Sequence, residues 1–265
     1  MSHGLLQMAG VGAAALVLMM CVTWLISMRI NNAGIVDVSW ALGLVVLAAW
    51  YASIGPGFPA RKWTLAAMVA LWGLRLATHL VWRVAREPED GRYQQMRRDW
   101  RGTNVNFRFF FFFEAQALLD ILLSVPILIA VMNPAPELNL LEYVGIALWL
   151  LAVIGESIAD AQLAAFKRNP ANRGHVCQRG LWKYSRHPNY FFEWFVWVAW
   201  AVYALASPFG WLALICPMLM LVFLFRVTGI PATEAQALRS RGQEYARYQQ
   251  TTNAFIPWFK KSSAH

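Results

Sequence analysis

Seven stretches of this chain are apolar enough to cross a lipid bilayer, at roughly residues 4–27, 34–53, 62–83, 108–132, 139–167, 190–206 and 208–227. A backbone in hydrocarbon must satisfy its own N–H and C=O groups, so stretches of this kind fold as helices. The sixth is short and the fifth long, which implies tilt or an extension into water. At 58% hydrophobic residues, the chain is too apolar for a soluble domain of 265 residues. Little sequence remains between the stretches. The expected fold is therefore an all-α, polytopic membrane protein of one domain with seven transmembrane helices. The first stretch has no basic leader and no clear small-residue cleavage site, and reads as a retained span.

Charge supplies an orientation. The formal net charge is +9. Arg83, Arg86, Arg92, Arg97, Arg98, Arg101 and Arg108 fall between spans three and four. Lys167, Arg168, Arg173, Arg179, Lys183 and Arg186 fall between spans five and six. Arg226 ends span seven, five more basic residues follow it, and Arg29 ends span one. With seven spans all of these lie on one side. Arg61 and Lys62 lie opposite, and Arg75 is inside span three. The positive-inside rule places the N-terminus outside and the tail in the cytoplasm. The three cysteines and five histidines are scattered. No metal site, Walker loop or Gly-x-Gly-x-x-Gly turn is expected.

Charged groups inside spans are costly and mark function. Asp37 lies one turn into span two. Arg75 and His79 share a face of span three at i and i+4. Glu114, Gln116 and Asp120 lie in span four, Glu156 and Asp160 in span five, and Glu193 in span six. All fall in the half nearer the basic loops, which predicts a polar cavity open to the cytoplasm. Arg75 has the alternative of pairing with Asp37 or Glu156 as a structural bridge. Asp120 has the alternative of capping a neighbouring helix, and Glu193 that of accepting from His187.

Arg186-His187-Pro188-Asn189-Tyr190 opens span six with an unusual density of hydrogen-bonding groups, suited to a large anionic ligand. Past span seven, Thr233 and Gln236 have capping-box spacing after Pro231. They predict a helix of about four turns carrying Glu234, Arg239, Arg241, Tyr245 and Tyr248. That helix either lies on the membrane or closes over the cavity. Phe255-Ile256-Pro257-Trp258 reads as an interfacial anchor, and Phe109 to Phe113 as a lipid-facing aromatic belt.

Several of these motifs together resemble the bacterial branch of the steroid 5-alpha-reductase family. They are Gly180-Leu181-Trp182-x-Tyr184-Ser185-Arg186-His187-Pro188-Asn189-Tyr190-x-x-Glu193, Gly229-Ile230-Pro231-x-x-Glu234, Tyr245-x-x-Tyr248 and Phe255-Ile256-Pro257. The likeness is strongest over 156–258 and reaches more weakly to Asp37-Val38-x-Trp40, Arg75, Asp90-x-Arg92-Tyr93 and Gln116. The wider superfamily includes sterol double-bond reductases and, more distantly, lipid and isoprenylcysteine methyltransferases.

The resemblance implies NADPH in the cytoplasmic half, with residues 134–258 on the cofactor side and 1–133 on the substrate side. It places cofactor contacts at Arg75, His79, Arg86, Arg92, Tyr93, Asp160, Lys167, Arg168, Arg186, His187, Asn189, Tyr190, Glu193, Trp197, Glu234, Tyr245 and Tyr248. It places a lipophilic enone near Trp40, Trp72 and Gln116. Asp37 stands where the family has the glutamate that contacts the substrate carbonyl. Trp72 stands where the family has a partner tyrosine, and indole cannot supply a phenolic proton; Tyr184 or Tyr190 is the expected substitute. Asp37, as a neutral acid, would donate to the carbonyl. The partners implied are a steroid or lipid enone and membrane lipids in a bacterial inner membrane, with the chain a monomer and nucleic acid excluded. The competing expectation is a membrane methyltransferase using S-adenosylmethionine, a cofactor without phosphates that needs fewer basic residues.

Overall fold

The computed structural model describes residues 2–227 and 229–260. Ten α-helices occur among them, and no strand: α1 (Ser2–Ile30), α2 (Ile35–Ile54), α3 (Pro59–Arg86), α4 (Gly91–Asp99), α5 (Val105–Leu123), α6 (Val125–Val131), α7 (Leu140–Arg168), α8 (Pro188–Ala204), α9 (Ile215–Val222) and α10 (Ile230–Thr251). Six helical segments are long and apolar enough to cross a membrane. The remaining expected span, the sixth, corresponds to α8. Its 17 residues make a helix of about 26 Å, a little under the thickness of a hydrocarbon core.

The expected continuous helix over 108–132 is interrupted at Ser124, where α5 ends and α6 begins. Pro126 has no amide N–H for the ladder, and the Ser124 hydroxyl donates back to Ile121 O at 2.8 Å. The tail also departs from expectation. Its helix starts at Ile230 after Gly229, with Pro231 in its first turn, so Thr233 lies inside it. The Thr233 hydroxyl bonds Gly229 O at 3.0 Å, which replaces the anticipated capping box. Gly242, at φ +53°, breaks α10 in the middle.

The chain divides into two compact units. Unit 1 is Met1–Glu142 with Ala204–Ala213, and unit 2 is Tyr143–Tyr203 with Leu214–His265. In unit 1, α2 packs against α3, and α1 against both α2 and α5. Small residues allow this closeness: a Cβ at Gly73 would stand 3.0 Å from Ala41 O. At one end of unit 1, the buried Arg61 guanidinium binds Glu142 and donates to Asn133 O at 3.0 Å and Ala135 O at 2.7 Å. In unit 2, a Cβ at Gly145 would meet Tyr203 N at 2.9 Å, so α7 and α8 are in close contact there.

The aromatic run divides by helical phase rather than facing lipid as a whole. Phe109 and Phe113, at i and i+4, are buried, whereas Phe111 is exposed. The expected anchor at 255–258 divides similarly. Phe255 is buried against Phe191, Trp194 and Phe225, while Ile256 and Trp258 are exposed.

Candidate functional site

In unit 1 the polar residues gather at the first turn of α2. Just before that turn, Glu89 Oε1 accepts from Ala33 N at 2.7 Å, and Asn32 Oδ1 from Gly34 N at 2.9 Å. Arg97 holds Glu89 through two hydrogen bonds, at 2.8 and 3.0 Å. Asp90 caps α4 by accepting from Arg92 N at 2.9 Å. That cap presents the next two side chains to Asp37. Tyr93 Oη donates to Asp37 Oδ1 at 2.6 Å, and Arg92 Nη2 donates to Asp37 Oδ2 at 3.1 Å. Arg83 Nη2 lies 3.7 Å from the same oxygen and 3.3 Å from Asp90.

Asp37 pairs with Arg92, Arg83 and Tyr93, not with Arg75. It accepts hydrogen bonds from a phenol and a guanidinium, with a second guanidinium close by. The phenol beside it is Tyr93, which sequence reasoning placed among the cofactor contacts. Trp72 packs edge-on against Trp40 at 6.0 Å, on the α2–α3 side. Tyr93 is buried, and its pKa is pushed well above the ordinary value by burial and then by the Asp37 charge. Burial acts to lower Arg92, but Asp37, Tyr93 and Asp90 outweigh it and hold the guanidinium charged.

Sequence reasoning treated Arg83 only as a topology charge. The usable signal was Asp90-Gly91-Arg92-Tyr93, an N-cap pattern opening a polar helix. Elsewhere in unit 1, Arg75 and Gln116 are half-buried, and His79 is exposed. Arg86 is exposed over the Trp82 ring at 5.4 Å.

In unit 2 the residues around the start of α8 fall into two groups. The first is a clamp. Arg186 Nε donates to Glu234 Oε1 at 2.6 Å, and Arg186 Nη1 to Gln249 O at 3.1 Å and to Thr252 O. His187 Nε2 lies 3.2 Å from Glu234 Oε1, and Gln249 Nε2 donates to Glu234 Oε2 at 2.7 Å. The buried Tyr248 hydroxyl reaches Trp182 O and, at 3.0 Å, Ser185 O. Tyr245 Oη is 3.5 Å from Glu234. Arg186, Glu234 and Tyr248, expected as cofactor contacts, thus bind one another and the backbone. His187 turns to Glu234 and stacks on Tyr190 at 5.3 Å; Tyr190 Oη meets Thr233 Oγ1 at 3.2 Å. Gln249 was not anticipated and carries no motif signal of its own.

The second group includes exposed cations and one unpartnered amide. Lys167 and Arg168 end α7 exposed, as do Arg173 and Arg179 in the loop beyond, with no carboxylate bound to them among the described residues. Asn189 is half-buried in the first turn of α8, with no hydrogen-bond partner for its amide among the described residues. Asp160 and Glu193 are half-buried, and Trp197 is buried edge-on to Trp200 at 4.8 Å. Tyr184, offered by sequence as a catalytic phenol, packs its ring against Phe259 at 6.3 Å with Lys183 Nζ 5.8 Å above it.

The clamp has a pH signature. Burial acts to raise the Glu234 carboxyl, but hydrogen bonds from His187, Arg186 and Gln249, with the Arg186 charge, bring it down to about 2 from 4.5. Above pH 4.5 the group is ionised both folded and unfolded, and its stabilising contribution is complete. As pH falls from 4.5 toward 2 the unfolded chain takes up the proton first, and the contribution is lost. Melting temperature should therefore fall across that window, and Glu234→Gln should flatten the fall. Equal slopes in both proteins would remove Glu234 from the clamp's energetics.

No curated protein and no solved structure matches the chain. Residues 23–252 match one family model, from the C-terminal part of α1 to the end of α10, taking in both the Asp37 cluster and the clamp. The chain belongs to the family described as "Protein of unknown function (DUF1295)".

Proposed function

We propose that this protein is a steroid 5-alpha-reductase-like enzyme of the bacterial inner membrane. It uses NADPH to saturate the C=C bond of a lipophilic enone, with 3-oxo-4-ene steroids as the substrate class. The observation that carries this reading is the 2.6 Å hydrogen bond from Tyr93 to Asp37, flanked by Arg92. Hydride addition at the β-carbon of an enone sends an electron pair onto the carbonyl oxygen, which then needs a donor. Tyr93 bears the proton, and Asp37 accepts it while no carbonyl is present. The side chain of Asp37 is 24% exposed, so a carbonyl oxygen can approach there and take over the phenol's hydrogen bond. Arg92 and Arg83 keep Asp37 in place during that exchange. The saturated ketone forms when the α-carbon is protonated.

NADPH supplies the hydride when bound. The exposed Lys167, Arg168, Arg173 and Arg179 suit its phosphates, including the 2′-phosphate. The unpartnered Asn189 amide suits a carboxamide. In this reading α8 is a seventh crossing, shortened within what local bilayer thinning accommodates. The basic loops face the cytoplasm, the N-terminus lies outside, and the enzyme acts as a monomer.

The test is thermal stabilisation of the purified protein, followed by NADPH oxidation across a panel of lipid enones. Cofactor at 100 times its Kd adds about 2.7 kcal/mol. NADPH should raise the melting temperature, and S-adenosylmethionine should not. The reverse result would assign the chain to lipid methylation, and no response to either would overturn the proposal.

A further inference from the structure

Asp120 of α5 is fully buried, and neither of its carboxyl oxygens has a hydrogen-bond partner among the described residues. Its seat is made by Gly43 of α2. A Cβ at Gly43 would stand 2.4 Å from Asp120 Oδ2, 3.0 Å from Leu16 Cδ2 and 3.2 Å from Met19 Cε. The missing side chain thus makes room for the carboxyl group, and flexible hydrocarbon from α1 covers it. A polar group in such a place is costly unless something bonds it. Two other buried polar sites of unit 1 are satisfied internally: Thr23 and Ser39 share a 2.7 Å hydrogen bond, and Glu142 binds Arg61. Asp120 alone among these has no structural employment, although a leucine would fit the surroundings without that cost.

Its depth narrows what it can bind. Asp120 lies fifteen residues into α5, about 22 Å along the axis. Gly43 lies six residues beyond Asp37 on α2, about 9 Å along that axis. A rigid polycyclic lipid with one oxygen at the Tyr93–Asp37 pair carries its far end to this depth. We propose that Asp120 is a substrate-recognition group. It hydrogen-bonds a hydroxyl or ketone oxygen at the end of the lipid opposite the reacting carbonyl, so the preferred substrates carry two separated oxygens. This rests on the reading of Tyr93 and Asp37 as the carbonyl end. A site built to bond a hydroxyl rejects the analogue lacking it, because the protein group is then left unpaired.

Two 3-oxo-4-ene steroids differing only in a hydroxyl at the far ring are the probes. Binding is read by quenching of tryptophan fluorescence, without cofactor. The wild type should bind the hydroxylated probe roughly 10- to 100-fold more tightly. Asp120→Leu should erase that preference and leave the affinity for the deoxy probe unchanged, while Asp120→Asn should keep part of it. Should Asp120→Leu not fold, Gly43→Ala is the second variant; by displacing the carboxyl group it should weaken only the hydroxylated probe. A preference that survives these substitutions, or a wild type that does not discriminate, overturns the proposal. The readout needs no turnover. Discrimination without NADPH-dependent reduction would leave the recognition site standing and remove the reductase reading; reduction without discrimination would do the opposite.

Discussion

Tyr93→Phe is expected to lower kcat for enone reduction by about 10²–10³, the loss found on deleting one donor to a developing oxyanion. The substitution removes one oxygen and leaves the ring, which packs edge-on to Phe112 at 6.0 Å and lies under Arg92 at 5.2 Å. The fold should therefore survive, and stabilisation by NADPH should be unchanged. Asp37→Asn keeps an acceptor for the phenol but weakens the hold of Arg92 and Arg83, and should cost less. Tyr93→Phe with full turnover would sink the proposed chemistry, since no other phenol bonds Asp37 among the described residues.

Breaking the Arg61 site should have the largest effect on stability. This guanidinium is buried and engages Glu142 together with the carbonyls of Asn133, Ala135 and Glu137. Arg61→Met leaves a buried carboxylate unpaired and three carbonyls without a donor, at a cost of about 3–5 kcal/mol. Adding Glu142→Met should recover part of the loss by removing the stranded charge. It cannot recover the bonds that order residues 133–137. Melting temperatures of the single and double variants measure both parts. A single variant as stable as the wild type would show that the guanidinium contributes nothing net.

Most helices were legible because an apolar run in hydrocarbon has one fold available to it. The breaks were less so. Ser124 sits inside an unbroken apolar run, and Pro126 was the one local cue. Gly242 lies in a polar helix whose pattern continues through it. Thr233 misled because a threonine inside a first turn can bond backward to the carbonyl four residues earlier as readily as forward from a cap. At the site, the intramembrane position of Asp37 was visible as an anomaly of composition. Its partner was not, because Tyr93 lies 56 residues away and reaches it only through the Asp90 cap of α4. The clamp residues were recognised as a motif, yet a motif does not say whether Arg186 and Tyr248 face a ligand or one another. Asp120 stood out by its charge; that Gly43 makes its seat required the packing of α2 on α5.

The start of α8 is stitched to chain made much later. Ser185 Oγ donates to Phe255 O at 2.7 Å, Arg186 N to Asn253 O at 2.9 Å, and Trp258 N to Tyr184 O at 3.0 Å. Ser185 and Phe255 are 70 residues apart, a delay of roughly 4–14 s at ordinary rates of synthesis. During that interval α8 is already made while its opening turn still lacks these partners. Unit 2 therefore acquires its finished form only once the tail is made, and the ribosome's pace sets how long that turn waits.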